Sequence, residues 1–274
     1  MPTSRSGPAL GVSPALLSVV DRYRGAVRAG DSGCFFGRDQ LVADLAELVL
    51  ESRFVAVVGT SGSGKSSLLR AGLISVLRGG DWPGPGERPA AVRILTPGAR
   101  PAHTHARALV PVDGAADTWV LVDQFEEVFT LCQDPAERGR FIELLLAAVR
   151  SDNRLRVVIA VRADSYGRCG GHRDLAAAAL RGAGLLIGPM SVDELCEAIV
   201  KPAAAEGLVV ERALTAQIIA DVADQPGGLP LMSHALMETW RRRRGGALTV
   251  KDCEAVGGVH GAFARTAEER WPAR

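Results

Sequence analysis

Aromatic residues are scarce in this 274-residue chain, at 5%. There is no series of stacking platforms on which single-stranded nucleic acid could lie. An excess of one charge is missing too. Acids and bases nearly cancel, to a formal net charge of +1, which leaves no global field to draw in a polyanion or an anionic membrane. No apolar run approaches the length that crosses a bilayer. Cys34, Cys132, Cys169, Cys196 and Cys253 are far apart, odd in number and form no CxxC pair. That pattern argues against a disulfide framework or a zinc site and for reduced thiols in a cytoplasmic protein. His103, His105 and His172 lack metal-ligand spacing to cysteines or acids, and no internal repeat is visible. Pro8, Gly11 and Pro14 interrupt the first apolar stretch, so residues 1–21 read as an unstructured leader rather than a secretion signal. Neither nucleic acid nor a membrane is expected as a partner.

What the chain has is an ordinary share of apolar residues, 47%, enough for one α/β domain and a smaller second unit. Its densest signal is Phe54-Val-Ala-Val-Val-Gly59-Thr-Ser-Gly-Ser-Gly-Lys65-Ser-Ser-Leu-Leu69. Five apolar, β-prone residues lead into a glycine-rich loop. Leu68, Leu69, Leu73 and Val76 follow at helical spacing. Gly59, four residues, then Gly64-Lys65-Ser66 is the phosphate-binding P-loop pattern in its required strand–loop–helix context. Gly59, Gly62 and Gly64 let the backbone approach a phosphate closely. Ser61 and the N–H groups from Gly62 through Ser63 and Gly64 to Ser67 are predicted to cradle it at the helix start. Lys65 brings a mobile cation to the β- and γ-phosphates, and the Ser66 hydroxyl is placed to ligate Mg²⁺.

The remaining periodicity predicts an α/β fold. Leu41, Val42, Leu45, Leu48 and Val49 mark an amphipathic helix before the P-loop strand. Strands are predicted at 91–95, 119–123, 155–161 and 185–187, alternating with helices at 135–150 and 174–180. This alternation implies a parallel sheet covered on both faces. Residues 96–117 show no period and receive no assignment. After Pro189 the strands stop. Ser191-Val-Asp-Glu194 is a capping box that opens a helix to about Ala205. Further helices are predicted at 213–223, 230–243 and 250–255, with a last one from about Val259 onward.

Three clusters follow the P-loop. Asp123 ends an apolar strand, and Gln124-Phe125-Glu126-Glu127 follows. A carboxylate there can hold Mg²⁺ opposite Ser66, and a second acid nearby can orient the attacking water. The alternative is a helix-capping Asp followed by two solvated glutamates. Glu127 is preferred as the base, with Glu126 as the other candidate. Arg162 ends the next strand, where a guanidinium would face a γ-phosphate; otherwise it is a solvated charge. Gly227-Gly-Leu-Pro230 punctuates two helices and by itself assigns no role. Arg241 to Arg244 complement the dipole of a helix C-terminus.

These residues resemble the bacterial STAND-type P-loop NTPases, in particular the group called novel STAND NTPase 1. The resemblance rests on Tyr23-Arg-Gly, Phe35-Phe-Gly-Arg38, the P-loop with Arg70-Ala-Gly-Leu, Val122-Asp-Gln-Phe-Glu-Glu, Val161-Arg-Ala-Asp, Gly188-Pro-Met, Gly227-Gly-Leu-Pro-Leu-Met-Ser-His-Ala-Leu and Gly257-Gly-Val-His-Gly-Ala. It implies an AAA-like NTPase core over 22–190, a helical domain over 191–256 and the start of a truncated winged-helix unit over 257–274. It implies ATP/ADP and Mg²⁺ as ligands, with Phe36, Gly37 and Arg38 bordering the adenine and Pro230 contacting it from the helical domain. The function implied is a slowly hydrolysing switch, closed with ADP and open with ATP, acting through self-association or an effector or repeat-domain protein. The alternative is a nucleotide-binding interaction module that no longer hydrolyses. A small-molecule phosphotransferase is disfavoured, because the Gly-Leu-Pro helical unit stands where a substrate lid would be needed. Residues 96–117 are short for the family, so a helix beside the second strand is expected to be missing.

Overall fold

The structure is a computed structural model, and it describes residues 35–79, 84, 87–150, 152–181, 183–223, 225 and 227–262. The leader, the Tyr23-Arg-Gly motif, Cys34 and all but the first residues of the expected winged-helix unit fall outside these. Helix α1, Asp39–Glu51, leads into β1, Phe54–Gly59, and the P-loop. The helix that follows, α2, runs continuously as Lys65–Ser67, a π-helical segment Leu68–Leu73, and Ile74–Arg78. Then come β2, Ala91–Leu95; α3, Pro101–His105; β3, Thr118–Val122; α4, Glu127–Thr130; and α5, Pro135–Leu146. Strand β4, Leu155–Arg162, is followed by α6, Ala163–Tyr166, α7, Arg173–Arg181, and β5, Ala183–Ile187.

These five strands form one parallel sheet in the order β2-β3-β4-β1-β5. Successive side chains of a strand face opposite ways, and here both faces are covered. Val55, Val57, Leu121 and Val158 pack with Leu45, Leu68, Leu69 and Leu73 of α1 and α2. Phe54, Ala56, Val120, Val157 and Ile159 pack on the other face with Phe141, Ile142 and Leu145 of α5. A strand buried on both faces cannot alternate apolar with polar, which is why 54–58 of β1, 119–122 of β3 and 157–161 of β4 read as unbroken apolar runs.

The remainder consists of α8, Val192–Ala205; α9, Arg212–Val222; α10, Gly228–Arg242; and α11, Val250–Ala255. They surround an apolar cluster of their own, with Leu195, Ile199, Leu214, Ile218, Leu236 and Trp240 at its centre. Caps set the boundaries. Asp134 Oδ1 accepts from the Ala136 N–H at α5. Ser191 and Glu194 form the reciprocal capping box of α8, and Thr249 caps α11. The arginines ending α10 are held locally: Arg241 on Glu238, and Arg243 over the Trp240 ring.

Two expectations are corrected. Residues 96–117 do contain a helix, α3, continued by a 3₁₀ turn at Ala106–Leu109. Pro101 starts it, Ala102 and Leu109 are buried in the sheet's apolar cluster, and Arg93 Nη1 donates to the carbonyls of Ala108 and Val110 at 2.7 Å each. Five residues are too few to display a helical period. Strands also do not stop after Pro189, since β6, Val209–Val210, pairs in parallel with β7, Ala247–Leu248.

Candidate functional site

Strand β1 ends at Gly59, in register with Arg162 of β4, so the P-loop and the arginine start from neighbouring strand ends. The loop turns back on itself through Ser63 N–H to Thr60 O, 3.2 Å. Gly62 has φ +76°, and a Cβ there would lie 3.1 Å from Pro230 Cγ and 3.2 Å from Gly227 Cα. The start of α10 thus rests directly on the loop. Lys65 is buried, and its Nζ donates to the carbonyls of Gly59, 2.9 Å, and Thr60, 2.7 Å. Burial holds this ammonium below the ordinary lysine range, and the nearby Glu126 carboxylate pulls the other way.

Asp123 follows β3 directly and is 1% exposed. Its N–H donates to Leu95 O. The Ser66 hydroxyl donates to Oδ1 at 2.8 Å. Arg70 donates to Oδ2 through Nε and Nη2, at 3.2 and 3.1 Å. Sequence reasoning did not single out Arg70 as a site residue. The signal was there: residues four apart on a helix share a face, and Arg70 is four after Ser66. Gln124, next in the chain, has φ +55°, a conformation that non-glycine residues adopt at a cost.

The two glutamates separate. Glu126 borders the central cavity and accepts from Arg162 N–H, 3.2 Å. Glu127 accepts from Gly98 N–H at 2.9 Å and is not on the cavity wall. Arg162 borders the cavity with its guanidinium paired to Asp164, and this pair keeps its charge firmly protonated.

The cavity has a volume of about 610 Å³, within the range of small-molecule sites. Ser61 to Ser67 line it together with Asp123, Gln124, Glu126 and Arg162. Phe36, Arg38, Met190, Pro202 and Met232 are also on the wall, as is Pro230 beside Gly62. Of the residues expected at the site, Gly59, Gly37 and Glu127 lie off this wall. Gly37 serves the frame instead: with φ +80°, its Cβ position falls 2.3 Å from Glu194 O, so only glycine lets this segment lie against α8. Arg38 is buried, and its Nη2 donates to Gly188 O, 2.9 Å. Burial also lowers its proton affinity.

Two buried atoms on the wall, Arg38 Nε and Ser63 Oγ, have no hydrogen-bond partner in the protein. Buried polar groups are ordinarily satisfied, so these fit a polar ligand. The donor set also fits magnesium. Ser66 and Asp123 supply hard oxygens side by side, and no group of three or more His, Cys, Asp or Glu among the described residues could hold a metal. Mg²⁺ is usually held by one or two protein oxygens plus substrate phosphates rather than by an all-protein cage.

A P-loop and a strand-terminal aspartate on a parallel sheet of this order define a P-loop NTPase. The sequence profile of the family "Novel STAND NTPase 1" matches residues 23–273, and the chain belongs to that family. Nucleotide binding is the property this membership implies. No curated protein sequence matches the chain. Its fold is similar to that of the RuvB Holliday junction branch migration motor of Thermotoga maritima, at TM-score 0.55 and 16% identity over 90% of this chain and 80% of that one. It is similar to Drosophila ORC, solved bound to DNA, at 0.56 and 17% over 100% and 74%. The Walker-type ATPase of Pyrococcus abyssi gives 0.55 and 13% over 89% and 74%. At these identities the likeness concerns the fold alone. Among the described residues, no helix is long and apolar enough to cross a membrane.

Proposed function

We propose that the chain is an ATP-binding, slowly hydrolysing signalling switch, closed with ADP and open with ATP. One observation carries this reading: the cavity is walled jointly by the P-loop and by α8 and α10, with Pro230 seated against Gly62. Phosphates at the loop and the position of the helices therefore share one surface. A ligand shifts such an equilibrium by its difference in affinity for the two arrangements. In this reading residues 22–190 are the NTPase core, 191–256 a helical domain that moves against it, and 257–274 the start of a winged-helix unit.

Lys65 and the N–H groups of Gly62 to Ser67 hold the β- and γ-phosphates, with Gly59 placing the loop. Phe36 and Arg38 border the adenine, and Pro230 touches it from α10. Ser66 and Asp123 hold the magnesium ion, which when bound neutralises charge on the phosphate oxygens. Glu126, the glutamate on the cavity wall, takes a proton from water as its oxygen attacks the γ-phosphorus. The bond from that phosphorus to the bridging oxygen breaks, leaving ADP and phosphate. Arg162 leaves Asp164 for the γ-phosphate and so reports its presence. Output runs through self-association or an effector or repeat-domain partner, in the cytoplasm.

Limited proteolysis with ADP, with a non-hydrolysable ATP analogue and without nucleotide tests the switch. Cleavage near residues 188–191 and 227–234 is expected to be suppressed by ADP and enhanced by the analogue. Identical patterns with both nucleotides, each bound, would leave the chain a binding module and end the switch reading.

A further inference from the structure

We infer that Arg70 is a positioning residue for the magnesium site, holding the Asp123 carboxylate in the orientation that presents Oδ1 beside Ser66. The inference rests on the reading of Ser66 and Asp123 as the metal-holding pair. Asp123 is nearly inaccessible, whereas the Arg70 side chain is 36% exposed. A buried carboxylate is tolerable only with its oxygens hydrogen-bonded. Here the two oxygens have different partners: Ser66 takes Oδ1, and two N–H groups of one planar guanidinium take Oδ2. That rigid pair of donors fixes the rotation of the carboxylate, which a single freely turning donor would not do. Without Arg70, Ser66 alone would hold the group, and it could turn about its own axis.

The local backbone is adapted to this contact. Arg70 lies within the π-helical segment Leu68–Leu73, flanked by the fully buried Leu68, Leu69 and Leu73. Those leucines anchor the segment to the sheet, and the polar Arg70 is left facing the end of β3. Single π turns recur at functional positions in helices.

Charge alone points the other way. A cation beside a divalent ion repels it, so removing Arg70 would then strengthen metal binding. The guanidinium is partly open to water, which screens that repulsion. The two direct hydrogen bonds are not screened in the same way. Partners that orient a metal ligand typically matter by about tenfold to a hundredfold in metal affinity, so orientation outweighs repulsion here.

Titration of a fluorescent ATP analogue into the full chain, with and without Mg²⁺, tests this. The readout is the ratio of the two affinities. In Arg70→Ala the Mg²⁺-free affinity is expected to stay as in the wild type and the ratio to fall by about tenfold or more. Arg70→Gln, a shorter polar side chain that lacks the guanidinium fork, should behave alike and serves if the alanine variant misfolds. Arg70→Lys keeps the charge without the fork and should recover less than half of the loss. An unchanged ratio overturns the inference, even if the melting temperature falls, because that is a structural role alone. A raised ratio also overturns it, by showing Arg70 to be a competitor. A wild type that binds no ATP defeats the nucleotide reading itself. A wild type that binds ATP with no gain from Mg²⁺ defeats the metal pair, and the inference with it.

Discussion

Adjacent carboxylates part at the end of β3. Glu126 borders the cavity beside Lys65 and Arg162, while Glu127 turns to the Gly98 N–H. Glu126→Gln is expected to keep nucleotide affinity and slow hydrolysis by about 10²-fold or more, the usual contribution of a positioned base. Glu127→Gln should leave turnover near wild type. Single-turnover hydrolysis of bound ATP decides it; loss in Glu127→Gln alone would restore the preference drawn from the sequence. That preference could not have been settled from the chain. The first turn after a strand end can aim either of two consecutive side chains inward, and the aim here depends on Phe125 N–H reaching Ala160 O of β4. Lys65, Ser66 and Asp123 were legible, because each stands at a spacing fixed by the phosphate loop or by the end of an apolar strand. Arg70 was passed over because an arginine among leucines on a helix looks like an ordinary solvated charge.

At the scale of elements, the segment before α1 is held on the junction leading into α8. Arg38 reaches Gly188 O, and Gly37 lies against the α8 backbone. Gly37→Ala must shift both, because its Cβ would meet Glu194 O at 2.3 Å and its φ is +80°. A loss of about 1–3 kcal/mol is expected, read as a lowered denaturant midpoint, together with weaker ATP binding through displacement of Phe36. A midpoint equal to wild type would show that the 36–38 segment is not held on α8 in solution. Elements with strong boundaries were legible. The capping box opened α8 at the expected residue, Asp134-Pro135 opened α5, and the long apolar strands of the sheet were all found. Some short elements were not, although the six-residue α11 was. Helix α3 and the two-residue strands β6 and β7 are made by contacts distant in sequence, and nothing within so few residues shows a period.

At the scale of the molecule, the described residues form three separate apolar clusters, two on the faces of the sheet and one among α8 to α11. The alternation of strands with helices, followed by helices, made that division readable. The cavity lies between the last cluster and the P-loop end of the sheet, and its wall mixes charged groups with Phe36, Met190, Leu229 and Met232. Apolar burial is the main source of folding cooperativity in domains, and the last cluster is separate from the other two. Melting therefore ought to proceed in two steps, the helices giving way before the sheet, and scanning calorimetry without nucleotide should resolve two heat-absorption peaks. A ligand that needs both walls stabilises only the state in which both are folded, by about 2.7 kcal/mol at a hundredfold excess over its Kd. Saturating ADP should then drive the lower peak up into the higher one. One symmetric peak without nucleotide would contradict this. On this account the nucleotide is the mortar of the fold, and whether the protein melts as two bodies or one is decided by the solution around it.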